Sequence, residues 1–191
     1  ARNENFNEVS WFYPSADSTE VNRYVTYNYL DQTWTVGTMD RTAWDDVGTS
    51  VTNPIAAGTN NYIYNQETGD DDDGSAMTAY IESSDIDIGA GNQMMFIRRI
   101  LPDIYFYGTS TSQDMNIIVK VRDYSSSLNP PTTDQTFTFQ TGASNSGSTG
   151  SQQLYSRIRS RQAAFRFEST TTGQQWRLGG VRLDMKPDGR R

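Results

Sequence analysis

The densest group of side chains that could bind a cation lies in the segment ETGDDDDG, residues 67–74. A hard cation such as calcium accepts oxygen ligands of this kind. However, the acids do not alternate with other residues as in an EF-hand loop, and no bidentate acid stands at the twelfth position. The spacing therefore favours a solvated acidic turn over a metal site. The four consecutive carboxylates are Asp70, Asp71, Asp72 and Asp73.

Other acids could supply the pair of carboxylates that glycoside hydrolysis requires. The candidates are Asp45 with Asp46, Glu67, and Asp85 with Asp87. Cys and His are both absent, which excludes disulfides, thiol nucleophiles, histidine bases and the common zinc sites. The sequence also has no phosphate-binding loop and no dinucleotide fingerprint. We therefore expect neither an enzyme nor a bound cofactor.

Arginine is the dominant basic residue, and three arginines alternate in LYSRIRSRQAAFRF. This spacing places Arg157, Arg159 and Arg161 on one face of a strand, where like charges repel unless an anionic group lies opposite. That group could belong to the acidic first half of the chain, to an adjacent subunit or to DNA phosphate. We expect a seam between subunits or domains, with Arg98 and Arg99 in the same role. Nucleic-acid recognition is disfavoured because the chain is acidic and its sequence shows no basic groove with regularly placed aromatics.

Aromatic residues make up 12% of the chain. Exposed rings could stack on sugars, as in carbohydrate-binding modules. Most of the prominent rings instead occupy alternating strand positions, which favours packing between blades and in a core. The candidates for either role are Trp11, Phe12, Tyr13, Trp34, Trp44 and Trp176.

Short strands separated by turns must position all of these side chains, and no helical period of ordinary length is present. RYVTYNYL and TWTVGTM predict a hairpin, EVSWFYPS a strand that ends at Pro14, and MNIIVKVRDY a strand with one buried face. The apolar parity changes across Gly179 and Gly180, which predicts a β-bulge. The fold class is all-β, with no membrane-spanning helix.

The pattern and the charge both change near residue 104. Residues 1–104 contain five Arg and 17 Asp or Glu, whereas residues 105–191 contain 11 Lys or Arg and six Asp or Glu. We interpret residues 1–104 as a region of partial β-propeller-like blades, with the hairpin Trp packed between blades. Residues 105–191 predict a small antiparallel β-sandwich. The first region is too short to close a propeller ring, so further blades would come from upstream residues or a partner chain.

Four segments occur in this order along the chain: FYPSADSTEVNRYVTYNYLDQTWTVGTMDRTAW, ETGDDDDGS, GNQMMFIRRILPD and WRLGGVRLDMKPDGRR. Together they resemble the C-terminal part of a family of virion proteins. These are the tail hub, nozzle or packaged-DNA stabilisation proteins of short-tailed bacteriophages. The resemblance implies a propeller-like domain followed by a β-sandwich. Because members of the family are longer, it also implies that this chain is a C-terminal fragment or a separately encoded piece.

The same resemblance implies a structural role in the phage tail. The protein would form a homo-oligomeric ring with other tail and portal or adaptor proteins, assembled in the cytoplasm of the bacterial host. Double-stranded DNA would pass through its channel without sequence-specific contacts, and residues 67–74 would face solvent or the lumen. The alternative is a carbohydrate-binding β module of a tail fibre or receptor-binding protein, in which an exposed Trp contacts a polysaccharide.

Overall fold

The structure is a computed structural model that describes residues 1–48, 51–110, 113–123, 133–141, 149–150 and 153–189. It divides into two compact units, Ala1–Gly69 and Asp70–Arg191. Both units are built from antiparallel sheets, so the all-β prediction is confirmed. Among these residues, no helix has the length and apolar character that a membrane span needs.

Four strands form the larger sheet of the Ala1–Gly69 unit. They are β1 (Arg2–Asn3), β2 (Glu8–Tyr13), β3 (Arg23–Asn28) and β4 (Thr33–Thr38), with a 3₁₀ turn at Glu4–Phe6. Each strand pairs antiparallel with the next. β3 and β4 form the predicted hairpin, with Tyr27 opposite Trp34. β2 ends before Pro14 as predicted, because proline has no N–H to donate to a neighbouring strand.

Three shorter strands form the second sheet of this unit. They are β5 (Arg41–Asp45), β6 (Ile55–Gly58) and β7 (Ile63–Asn65), paired antiparallel in that order. The guanidinium of Arg41 lies 4.4 Å from the ring centroid of Tyr64 and forms an ion pair with Asp40 at 2.7 Å. A buried arginine with both contacts is compensated in charge, which allows it to sit inside this small sheet.

The Asp70–Arg191 unit contains two sheets. The five-stranded sheet has the order β12-β11-β15-β8, with β9 also paired to β15. Its strands are β8 (Ala79–Glu82), β9 (Ile86–Asp87), β11 (Gln113–Arg122), β12 (Thr133–Thr141) and β15 (Gln162–Ser169). In the other sheet, termed the β10 sheet, the central strand pairs with all three others. Its strands are β10 (Met95–Gly108), β13 (Thr149–Gly150), β14 (Leu154–Ser160) and β16 (Gln174–Pro187).

Both sheets of this unit contribute side chains to one buried hydrophobic cluster. Phe106 of β10 and Phe139 of β12 stack there with ring centroids 6.0 Å apart. Alternate residues of β11 also face the cluster, which confirms the one-sided burial predicted for this strand. These residues are Met115, Ile117, Val119 and Val121.

β16 contains the β-bulge that the sequence predicts. Pro102 lies opposite Val181 but Ile104 lies opposite Leu178, so β16 has one extra residue between these pairs. Leu178 and Val181 nevertheless both pack against the hydrophobic cluster. The glycines between them therefore absorb the change of parity.

The boundary placed at residue 104 differs from the observed division at Gly69 and Asp70. Residue 104 lies inside β10, which pairs with β16 from Met95 to Gly108. Pro102 does not end this strand: it lies beside a register shift, and such irregularities are where a sheet tolerates proline. Residues 70–104 thus belong to the second unit.

Candidate functional site

The acidic loop, residues 70–73, is anchored to the start of β16. Asp70 Oδ1 accepts a hydrogen bond from Gln175 Nε2, and Asp71 Oδ1 accepts one from the backbone N–H of Gly173. The two acids that remain exposed are Asp72 and Asp73. Asp70 and Asp71 thus have a structural role, because they hold the loop against the residues at the start of β16. In the described part of the chain, no group of three or more acidic side chains is placed to hold a metal ion.

Several of the other candidate carboxylates have structural partners. Asp85 forms an ion pair with Arg122 at 3.4 Å, and Asp87 accepts a hydrogen bond from Gln162 at 3.4 Å. Asp46 accepts hydrogen bonds from two backbone N–H groups. These contacts connect strands and loops of the same unit and give the acids a structural role.

Glu67 lies with Glu8 in the lining of a cavity of about 190 Å³ in the Ala1–Gly69 unit. Desolvation raises the pKa of Glu67, although its carboxylate accepts a 3.0 Å hydrogen bond from Asn3 Nδ2. Desolvation, followed by the charge of Glu67, raises the pKa of Glu8. Desolvation and then these two carboxylates raise the pKa of Tyr24, which lines the same cavity. The sequence identified Glu67 alone, because Glu8 is distant along the chain.

Three of the five arginines predicted to form a seam contact groups of their own unit. Arg99 Nη2 lies 3.5 Å from Asp184 Oδ2, and Arg159 Nε lies 2.6 Å from Asp188 Oδ2. Arg161 donates a hydrogen bond of 3.2 Å to a backbone carbonyl oxygen at residue 91. β14 ends one residue before Arg161, so this arginine does not share the strand face of the other two, contrary to the sequence prediction.

Arg98 and Arg157 have different surroundings. Both are exposed, and neither forms an ion pair or hydrogen bond with the described residues. Both line a groove of about 810 Å³ formed by β10, β12, β14 and β16. Phe96, Tyr155 and Lys186 also line this groove, and Lys186 Nζ lies 5.7 Å from the Phe96 ring centroid. The groove combines positive charge with aromatic surface.

The same side of the β10 sheet carries further basic and aromatic side chains. Tyr105 and Tyr107 alternate with buried residues of β10, and their ring centroids are 6.0 Å apart. Exposed Arg177 lies opposite Tyr105, and exposed Arg182 lies opposite Leu101. The sequence showed no basic surface with aromatics because these residues come from three separate strands, and β10 is distant along the chain from β14 and β16. Alternation within β10 and β16 was the available signal.

The outward face of the five-stranded sheet offers a contrast, since its cations are paired. Lys120 Nζ lies 2.7 Å from Glu82 Oε1, and this contact is the main cause of the lowered pKa of Glu82. Arg166 contacts both Glu82, at 3.4 Å, and Glu168. Among the described residues of this unit, unpaired positive charge thus lies on the β10 sheet and not on the five-stranded sheet.

A second exposed surface lies on the larger sheet of the Ala1–Gly69 unit. The side chain of Trp34 is 63% exposed and that of Trp11 is 48% exposed, and their rings stack with centroids 6.0 Å apart. Tyr27 lies 4.6 Å from Trp34, centroid to centroid, and Val36 is exposed beside them. We term Trp11, Tyr27, Trp34 and Val36 the aromatic face.

The prominent aromatic residues divide between covered and exposed positions. Phe12 packs against Trp44 with centroids 6.0 Å apart, and Trp176 packs against the hydrophobic cluster. Trp11, Tyr13 and Trp34 are exposed. Alternation along a strand identifies the two faces of a sheet, but it does not show which of them the chain itself covers.

No protein-family model matches this chain, and no curated protein matches it.

Proposed function

We propose that this chain is a non-enzymatic structural protein of a bacteriophage tail and forms part of a hub or nozzle in the virion. The observation that carries the proposal is the exposed aromatic face, which joins the resemblance of the sequence to such proteins. Soluble monomers rarely expose contiguous apolar patches larger than a few hundred Å², and patches above that size mark interaction sites. A neighbouring β element that covers Trp11 and Trp34 would remove this surface from water.

In this proposal the larger sheet of Ala1–Gly69 is one blade of a β-propeller. The adjacent blade, from upstream residues or another chain, would pack on the aromatic face. The two sheets of Asp70–Arg191 would form a β-sandwich around their shared hydrophobic cluster. Both assignments agree with the antiparallel pairing and with the side chains that each sheet presents.

The proposed mechanism is mechanical. Copies of the chain would assemble with other tail and portal or adaptor proteins into a ring that retains packaged DNA and then conducts it. The exposed carboxylates Asp72 and Asp73 would face solvent or the lumen, where negative charge repels phosphate and keeps DNA from adhering. Arg99, Arg159 and Arg161 each contact a group of their own unit, so in this proposal they stabilise that unit.

Antibody labelling of this chain on purified virus particles, viewed by electron microscopy, tests the proposal. We expect label at the tail vertex, with an antibody against a capsid protein as the control for particle integrity. Label on peripheral fibres would contradict the hub assignment and favour the second candidate below. Intact particles without label would contradict both.

The second candidate is a carbohydrate-binding module, favoured by the stacked and exposed rings of Trp11 and Trp34. Such rings form the flat surface on which sugars stack. This candidate predicts saturable binding to a polysaccharide from the host surface, lost in Trp34→Ala. Tyr62→Ala is the matched control, because Tyr62 is 67% exposed and lies outside the aromatic face. Equal binding by both variants would exclude the aromatic face as the sugar site.

A further inference from the structure

The outward side of the β10 sheet carries positive charge that the described residues of its unit do not neutralise. We term this surface the basic face. Arg99 and Arg159, on the same side, already hold Asp184 and Asp188. Apart from these two acids, Asp103 is the exposed acid among the described residues of this side. Positive charge therefore exceeds negative charge on this face. The exposed cations that form no ion pair with described residues are Arg98, Arg157, Arg177, Arg182 and Lys186.

Aromatic rings are interleaved with these cations. Phe96 lies opposite Lys186, and Tyr105 lies opposite Arg177. Tyr155 is 68% exposed and lines the groove beside Arg157. Exposed rings beside arginines provide flat surfaces for stacking together with charge for an anion. A ligand that uses both features must carry repeated negative charges and planar aromatic groups.

We infer that the basic face binds single-stranded nucleic acid without sequence preference. Its cations contact phosphates, and its rings stack on unpaired bases. A duplex would use the cations alone, because its bases are already stacked on one another. An acidic peptide would also use the cations alone, since carboxylates offer no ring surface. The alternation of ring and cation therefore favours a single strand. This activity goes beyond the proposed tail function and does not depend on it.

The basic face is long enough for several nucleotides. Phe96 and Tyr107 belong to one strand and are separated by roughly 36 Å at a rise of about 3.3 Å per residue. Sheet-based single-strand sites cover about 4–16 nucleotides. An oligonucleotide of about 15 nucleotides is thus a suitable probe.

The test is a fluorescence anisotropy titration of the full chain with labelled oligo-dT. Oligo-U, a DNA duplex of equal length and polyglutamate are titrated in parallel. We expect saturable binding that weakens with salt, and a single strand that binds at least about tenfold more tightly than the duplex. Binding of either oligo-dT or oligo-U supports the inference, and the tighter of the two shows which polymer the face prefers.

Two variants separate stacking from charge. Tyr155→Ala should weaken oligo-dT binding by about 5- to 150-fold, the usual effect of removing one stacked ring. Arg98→Gln combined with Arg157→Gln should reduce the slope of log affinity against log salt by about 1.4, or about 0.7 for each lost phosphate contact. Tyr62→Ala and Arg23→Gln are the controls, because both residues are exposed and belong to the other unit. Both control variants should bind like the wild type.

Several results would overturn the inference. These are no binding at low salt, equal affinity for duplex and single strand, competition by polyglutamate as strong as by oligo-dT, or wild-type affinity in Tyr155→Ala. Because Tyr155 is largely exposed, its loss should not disturb the fold, and circular dichroism checks this. Tail-vertex labelling without oligonucleotide binding would remove this inference and leave the proposed function intact.

Discussion

At the scale of single residues, the surroundings of each carboxylate decide its chemistry. Desolvation raises the pKa of Glu8 and of Glu67. A hydrogen bond from Lys120 lowers the pKa of Glu82. These opposite directions give opposite dependences of stability on pH.

Glu8 and Glu67, which line one cavity, predict how the stability of the Ala1–Gly69 unit depends on pH. A raised pKa means that the folded state binds the proton more tightly, so this stability is present at acid pH and is lost as the pH rises through the raised pKa. Glu8→Gln removes one of the two titrating groups and its repulsion of Glu67. The free energy of unfolding should then fall less between about pH 4 and 7 than in the wild type. Urea unfolding followed by Trp fluorescence measures it.

Glu82→Gln is the control for that experiment. Glu82 has a lowered pKa, so its contribution is present at neutral pH and is lost as the pH falls through that pKa. Its replacement should therefore flatten the acid side of the stability profile of the Asp70–Arg191 unit. If Glu8→Gln keeps the wild-type pH profile, the carboxylates do not interact as the cavity indicates.

At the scale of elements, β10 organises the second unit, because all other strands of its sheet pair with it. The strand ends at Gly108, where the backbone has φ +108°. A Cβ at this position would lie 2.5 Å from the carbonyl oxygen of Gly173 and 2.9 Å from the backbone nitrogen of Gln175. Only glycine fits this close approach of two backbone segments, because backbone atoms, unlike a side chain, cannot rotate away.

Gly108→Ala should therefore destabilise the Asp70–Arg191 unit by about 1–3 kcal/mol, the usual cost of such backbone strain. Gly180→Ala is the matched control in the bulge of β16, since no atom lies within 4 Å of its added Cβ and its φ is not positive. It should change the free energy of unfolding by less than about 0.5 kcal/mol. Chemical denaturation measures the free energy of unfolding of both variants. Equal losses would show that the backbone at Gly108 has room for a Cβ.

At the scale of the whole molecule, the distribution of charge matters more than its total. The net charge is −7. The Ala1–Gly69 unit has three Arg and nine Asp or Glu, whereas Asp70–Arg191 has 13 Lys or Arg and 14 Asp or Glu. Among its described residues, the second unit has unpaired cations on the face of one sheet and paired cations on the face of the other. An acidic chain can therefore present a strongly basic surface.

Self-association of the chain should depend on the aromatic face. Trp34→Asp places a charge on this surface, and we expect it to raise the dissociation constant for self-association by at least about 30-fold, the effect of a 2 kcal/mol interface residue. Analytical ultracentrifugation over a range of concentrations measures the change. Tyr62→Asp, exposed outside this face, should assemble like the wild type. A wild-type chain that stays monomeric throughout, or a Trp34→Asp variant that assembles normally, would contradict this role.

Local patterns in the sequence account for several strands and for the two faces of each. The hairpin of β3 and β4, the end of β2 before Pro14, the one-sided burial of β11 and the bulge in β16 all follow from local patterns. Alternation, turn residues and glycine pairs act over a few positions. Their consequences are therefore visible in a short window of the chain.

Contacts between distant segments determine which strands meet and which faces stay uncovered. Glu8 reaches the cavity of Glu67, and Tyr155 joins Phe96 and Lys186 in one groove. β10 also runs through Pro102 because β16 pairs along its whole length. Pairing between distant strands is set by the shared core and not by local pattern. For this reason the sequence showed where arginines and rings occur, but not that they form one surface.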